Sequence, residues 1–443
     1  MKLLVFAHTP PPHHGQSYMT QLMLTGFGGD HRTGRHRPVP RNTAGDVHGI
    51  ECYHVNVRLS RTLEDIGEFH GTKLFLLLLY CLQAIWCRFR YGVTSFYYIP
   101  APGKRSALYR DWLVMFLCRP FFKRIIFHWH AAGLAKWLET AVQIRTRAVT
   151  FSFLRQAALS IVLSNYNRPD AEKLFARHIR TVGNGIPDPC PDFEETVLPR
   201  RRARFAARQR LLAGESLAES DAQRAGGDPE IFRLLFLAHC TREKGLFDAL
   251  EGVSLANARL ATADSPLRVQ LTVAGEFVVA KEQEEFHQRI LQPDLQIALT
   301  RRGSTPAARR SCVNYIGFVS GQKKRQAFAE SDCFCFPTYY YAESFGLVVI
   351  ESMAFGMPVI TSHWRSIPEL LTKDYAGLIP PRSPQRIAEA ILRMLAEEQS
   401  VALRDHFLQH FTIEQHLAKL AAAIREVEVS PTTPSGVPAL ATR

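Results

Sequence analysis

The chain has 443 residues, 46% of them hydrophobic and 21% charged. That balance excludes a disordered or collagen-like chain, and the length exceeds one ordinary core, so two domains are expected. The net charge of +13 favours anionic partners (phosphorylated ligands, nucleic acid or an anionic membrane surface) without choosing among them.

In chain order, "KLLVFA" at Lys2 predicts a buried strand. Its apolar run is too short for a signal peptide, and no small-residue cleavage site follows it closely. The loop "HTPPPHHG" leads into the helical stretch "QSYMTQLMLTGF". A strand, loop and helix in this order predict a doubly wound α/β domain. "GGDHRTGRHRPVPRNTAGDVHG" is basic, rich in Gly and Pro, and read as a mobile loop. "KLFLLLLYCLQAIWCRFR", from Lys73, is the most apolar stretch. Its uninterrupted part falls short of the ~20 residues that span a bilayer, so a buried helix is expected. Arg88 and Arg90 just after it keep a helix lying in a membrane surface open. Strands at "TSFYYIP", "RIIFHWH", "AALSIVLS" and "IRTVGNG" complete a first domain over residues 1–190.

Residues 191–230 are charged, with Phe193 and Phe205 as their only aromatics before the next strand, and read as a linker or surface insertion. Strand and loop signals then restart with "IFRLLFLAHCTREKG", followed by the helical "LFDALEGVSLANARL" and the strand "VQLTVAGEF". A second α/β domain is therefore expected over 231–400. A C-terminal helix over 401–428 is expected to pack back on the first domain, and the Pro/Ser/Thr-rich tail 429–443 to be disordered.

Nine cysteines occur without a CxxC pair of zinc spacing. Reduced, buried thiols in a cytoplasmic protein are the simplest reading, with Cys333 and Cys335 sharing one strand face as core residues. No Asp-x-Asp triplet, P-loop or G-x-G-x-x-G fingerprint is present, and His128 and His130 have no identifiable partner ligands. No metal site is expected.

The segment "YAESFGLVVIESMAFGMPVIT", from Tyr341, carries the chemistry. It places Glu343 at the mouth of a helix and Glu351 inside it. A helix N-terminus offers backbone N–H groups and a partial positive charge, which suit a diphosphate or sugar hydroxyls. Gly346 has no Cβ, so a ligand could approach the backbone there. An unbroken helix would set Glu351 roughly 12 Å further along the axis. Two such carboxylates are too far apart for a close acid/base pair and could grip two ends of a long, hydroxyl-rich ligand. Two solvent-facing glutamates on an amphipathic helix are the plainer alternative. The apolar run around Glu351 speaks against it, because a buried carboxylate needs partners.

This segment resembles the E-x7-E signature of glycosyltransferase family 4. "VNYIGFVSGQKKRQAFAESDCFCFPT", "GMPVITSHWRSIPELL", "FLAHCTREKGLFDAL" and "VGNGI" extend the resemblance, well in the second half and loosely in the first. It implies a GT-B fold, two Rossmann-like doubly wound domains facing each other across a cleft. It implies a nucleotide-diphosphate sugar donor, UDP- or GDP-linked, and no cofactor or metal. Glu351 would hold the donor ribose. Glu343 would hold donor-sugar hydroxyls, with the backbone N–H groups of Ser344, Phe345, Gly346 and Leu347. Lys244 would neutralise the leaving diphosphate. Gly15 would approach the same phosphates, His130 would sit near the reacting sugar, and Phe318 and Val319 would line the base pocket. The family often has Arg five residues before the lysine, where this chain has His239, so His239 or Arg242 would supply the second positive charge. Each site residue also has a plainer reading: Lys244 as a surface lysine, His130 as a core histidine and Gly15 as a turn residue.

The implied activity is retaining, metal-independent transfer of a hexose-type sugar to a saccharide or lipid-linked acceptor in glycan assembly. The protein would be cytoplasmic and peripheral on the inner membrane face. A sugar-nucleotide epimerase or phosphorylase on the same fold is one alternative, and a non-catalytic basic membrane-binding protein another. Nucleic acid is not expected, since no aromatic–basic alternation suggests a groove.

Overall fold

The computed structural model describes residues 1–11, 15–33, 48–59, 71–101, 103–297, 310–397 and 400–429. The chain divides into two compact units. The first comprises Met1–Leu163, Asn167–Val182 and the chain from Glu414. The second comprises Ser164–Tyr166 and Gly183–Ile413. Most of the expected mobile loop and almost all of the expected tail lie outside the described residues.

The first unit is built on strands β1 (Lys2–Ala7), β2 (Glu51–Asn56), β3 (Ser95–Tyr98), β4 (Arg124–Trp129), β5 (Leu159–Val162) and β6 (Ile179–Thr181). They form one parallel sheet in the order β2-β1-β3-β4-β5-β6. Parallel strands covered on both faces are mostly apolar, and β1 beyond Lys2, β3 and β5 are buried along their length. The strand order reverses between β1 and β3, which makes the carboxyl ends there the natural ligand edge of this unit.

The expected C-terminal helix is two helices, Ser400–His410 and Ile413–Val429. They part company at the boundary between the units. Arg404 ties the former into the second unit, with an ion pair to Asp188 at 2.5 Å and a donated bond to the Ala354 carbonyl at 2.7 Å. The latter packs in the first unit. A Cβ on Gly26 would overlap Leu417 Cδ1 at 2.2 Å, and Arg124 Nε donates to the Val427 carbonyl at 3.1 Å.

The apolar stretch from Lys73 forms the helix Gly71–Tyr91. It is not the buried helix expected. Leu77, Cys81, Ala84 and Cys87 are in the core, but Phe75, Leu79, Leu82, Trp86 and Phe89 are exposed. A single helix presents only one stripe to the sheet, and this sequence is apolar beyond that stripe.

The second unit is built on β7 (Ile231–Leu237), β8 (Arg268–Ala274), the short antiparallel pair β9 (Gln296–Ile297) and β10 (Arg310–Ser311), β11 (Val313–Gly317), β12 (Cys333–Phe336), β13 (Val359–Ser362) and β14 (Leu378–Ile379). Its main sheet is parallel, in the order β11-β8-β7-β12-β13-β14. Strands spread to both sides of β7, so the order reverses between β7 and β12. All nine cysteines are free and buried, as expected of core thiols.

Residues 191–230, expected as a linker or insertion, contribute structure to this unit. Their main helix, Leu198–Leu212, turns Arg201, Arg204 and Arg208 inward. Arg204 Nε lies 2.6 Å and Arg208 Nη1 3.0 Å from the carboxylate of Asp332, and all three side chains are almost wholly buried. Arg201 donates to the Phe355 and Ser331 carbonyls. A charged composition misled because the charges are paired indoors rather than solvated.

Burial alone would raise the Asp332 carboxyl, but Arg208 and Arg204 outweigh it and hold it at about 2. Its folded value therefore lies below the unfolded value of about 3.9. The stabilisation is present above pH ~4 and is lost as the pH falls towards about 2. Asp332→Ala leaves buried guanidinium groups uncompensated and should cost about 3–5 kcal/mol in urea unfolding at neutral pH. The difference from the wild type should shrink between pH ~4 and ~2.

Candidate functional site

The loops after β7 and β12 meet at the switch point of the second sheet. Open parallel sheets bind ligands at this edge. After β7 comes a single helical turn, Arg242–Lys244, in which the Lys244 N–H donates to the Thr241 hydroxyl at 3.3 Å. Gly245 follows with φ +83°, and a Cβ there would lie 2.4 Å from the Pro337 carbonyl oxygen. Only glycine permits both the turn and the contact. The Tyr339 N–H donates to the Glu243 carbonyl at 2.8 Å. Two segments about a hundred residues apart in sequence are thus stitched together.

This stitching sets Lys244 Nζ 2.7 Å from Glu343 Oε2, a nearly buried ion pair. The Thr338 hydroxyl lies 3.5 Å from the same carboxylate oxygen, and the ammonium sits 4.5 Å from the centroid of the Tyr340 ring. Burial, aided by neighbouring Tyr341, pushes the Tyr340 hydroxyl up to about 12, so it stays neutral at physiological pH.

The helix after Glu343 is Leu347–Ala354, with Gly346 at its N-cap in the left-handed region and no side chain capping it. Gly346 is needed for a reason other than ligand approach. Besides its φ of +82°, a Cβ would meet Ile367 Cδ1 at 2.5 Å. Residues 343–346 are not helical, so the axial separation expected from an unbroken helix does not apply. Glu351 lies just over one turn in. Its Oε1 accepts from Lys324 Nζ at 2.7 Å, while Oε2 is enclosed and has no partner among the described residues. Rotation about the terminal torsion exchanges the two oxygens.

Phe318 and Val319 follow β11 at the same sheet edge, Phe318 exposed and Val319 buried. Arg242 is turned to Glu285 and stacks its guanidinium 4.4 Å from the Phe247 centroid. His239 has its pKa lowered by burial, then by the charge of Lys244. That favours a neutral imidazole, while the Arg242 guanidinium is engaged by Glu285. Ser344 and Phe345, expected at the start of the helix, lie in the loop before it, and Leu347 takes the first helical position.

Gly15 and His130 belong to the first unit. Gly15 begins the helix after β1, and His130 follows β4, both at the carboxyl edge of that sheet. The His130 ring lies 4.2 Å from that of His128. His128 is fully buried, takes a 2.5 Å bond with the Tyr97 hydroxyl, and has its pKa driven down by burial and then by His130 and His416.

Lys324, Thr338 and Tyr340 were not singled out from the sequence. Lys324 stands in the basic run "GQKKRQAF", but nothing in that run points to Glu351. Among the described residues, no group of three or more His, Cys, Asp or Glu side chains is placed to hold a metal ion.

Residues 219–409 match the family model of Glycosyl transferases group 1. The O-antigen chain mannosyltransferase B of Escherichia coli is 31% identical over 108 residues, covering 24% of this chain and 26% of that protein. The chain spans about a quarter of the length of such curated relatives. Among solved structures, HepE of Anabaena in complex with UDP and glucose superposes with a TM-score of 0.59 at 15% identity, covering 95% of this chain and 99% of that one. Sucrose-phosphate synthase of Thermosynechococcus elongatus gives 0.60 at 18% identity, covering 97% and 99%. The fold is that of the GT-B glycosyltransferase structures, and the family match lies within the second unit.

Gly245→Ala should strain the left-handed turn and push the Lys244 loop off Pro337. A loss of about 1–3 kcal/mol in denaturant unfolding is expected. An unaltered midpoint would show that the loop contact is dispensable.

Proposed function

We propose that the chain is a retaining, metal-independent glycosyltransferase of the E-x7-E type. It would move a sugar from a nucleotide-diphosphate donor to a saccharide or lipid-linked acceptor hydroxyl. The observation that carries this reading is that both carboxylates of the segment after β12 are held by lysines from elsewhere in the unit, Glu343 by Lys244 and Glu351 by Lys324, and that Glu351 keeps one oxygen without a partner among the described residues. The family match over residues 219–409 and the glycosyltransferase relatives support it.

In this reading a ribose hydroxyl donates to Glu351, whose spare oxygen needs a donor, and Lys324 holds the carboxylate in place. Lys244 has three N–H donors and uses one on Glu343, leaving the others for the diphosphate. Glu343 then accepts from donor-sugar hydroxyls. The bond from the anomeric carbon to the diphosphate breaks as the acceptor oxygen bonds to the same face, and the acceptor proton passes to the departing phosphate. The protein's share is to orient the partners and to stabilise charge growing on the phosphate. Phe318 and Val319 would flank the base.

Screening nucleotide sugars for transfer or hydrolysis, with the product anomer read by NMR, tests this reading. Retained configuration without added metal is expected. An inverted product or a strict divalent-ion requirement would contradict it, and an epimerised sugar nucleotide would point to a different reaction.

Two substitutions separate the roles. Glu351→Ala should weaken nucleotide binding by about 1.5–3 kcal/mol in calorimetry, since a hydrogen bond to a charged group is lost. Lys244→Ala should lower kcat by roughly a hundredfold, more than it raises KM, because the phosphate charge it meets grows in the transition state. An unchanged turnover number would remove Lys244 from that role.

A further inference from the structure

Among the described residues, one helix is long and apolar enough, by length and composition, to cross a membrane: Thr72–Tyr91. It is held flat against the first sheet instead. Leu77, Cys81, Ala84 and Cys87 recur at helical spacing and are buried in the core with β1 and β2. The opposite face should then be polar, as on other surface helices. It carries Phe75, Leu82, Trp86 and Phe89, which are 62%, 62%, 53% and 68% exposed.

The apolar surface continues onto the neighbouring elements. The Phe89 ring lies 6.0 Å from that of Phe121, and Arg88 Nε donates to the Phe121 carbonyl at 2.8 Å. The adjoining helix Arg105–Cys118 exposes Phe116, whose ring meets Phe153 of the helix Ile144–Leu154 at 6.2 Å. Residues 71–91, 105–123 and 144–155 together hold ten lysines and arginines and one acidic residue, Asp111. Asp111 is buried and bonded to Tyr98, the Ala101 N–H and Arg110. The three elements therefore present exposed aromatic and aliphatic side chains among cations, with no exposed carboxylate of their own.

We propose that this face of the first unit docks on an anionic lipid bilayer, the helix Gly71–Tyr91 lying in the interface plane. Apolar side chains on one face of a flat helix enter the headgroup boundary, and the flanking Arg and Lys meet anionic headgroups. A polar protein partner would not match the exposed Phe and Leu, and a spanning helix would have to tear the Leu77–Cys87 stripe from the core. The proposal does not depend on the reading of the second unit's site.

Flotation of the full chain with vesicles tests it. The chain should float with phosphatidylcholine vesicles containing phosphatidylglycerol at low ionic strength, and less so at high salt, where surface charge is screened. Phe75→Ser/Leu82→Ser/Phe89→Ser should cut the bound fraction at least about tenfold. Arg90→Glu/Lys123→Glu should weaken binding roughly fivefold per cation removed. Both variants should keep the wild-type circular dichroism and nucleotide affinity. Failure of the wild type to float with anionic vesicles would overturn the proposal, as would equal flotation of the variants. A wild-type dimer in gel filtration that the triple substitution converts to monomer would also overturn it, giving the face to a second copy of the chain.

Discussion

Lys244 and Glu343 are 99 positions apart in the chain and 2.7 Å apart in space. A nearly buried ion pair of this kind gains little stability over an apolar pair and is costly when either partner is lost. The second unit nevertheless builds two loops to hold it. Gly245 exists in its left-handed turn so that the Lys244 loop can touch Pro337, and the Tyr339–Glu243 backbone bond closes the seam. A pair held at such expense is better placed to exchange partners with a ligand than to stabilise the fold.

The rest of the edge is consistent with that exchange. An anionic ligand competes with Glu343 for the ammonium, and hydroxyls compete with the ammonium for Glu343. A ligand carrying both groups satisfies both residues at once. Glu351 repeats the logic with Lys324 as its holding cation and one oxygen left over. The order of the sheet places the loops that carry Lys244 and Glu343 at the strand reversal.

Much of this was legible in the sequence. Every expected strand of the first unit is present, most of them as buried apolar runs, while the mixed sequence of β2, ECYHVN, gave no such signal although the strand is buried. Glu343 and Glu351 stood out by their spacing, and Lys244 came from the family resemblance alone. What was not legible depended on tertiary partners. The arginines of the helix Leu198–Leu212 look like a solvated surface until Asp332 appears beneath them. The helix from Gly71 looks like core until its register shows that only one stripe meets the sheet. Gly346 looked like a ligand-approach glycine, and its neighbour is Ile367. Lys324 could not be tied to Glu351, since pairing between separate helices leaves no trace in a single sequence.

The proposed occupant of the edge between β7 and β12 is a nucleoside diphosphate. Calorimetric titration of UDP and GDP, each beside its monophosphate, tests it most directly. One binding site is expected for at least one of the diphosphates, with clearly weaker binding of the matching monophosphate, since Lys244 would lose its second phosphate. Absence of binding by both diphosphates, or equal binding of mono- and diphosphate, would contradict it.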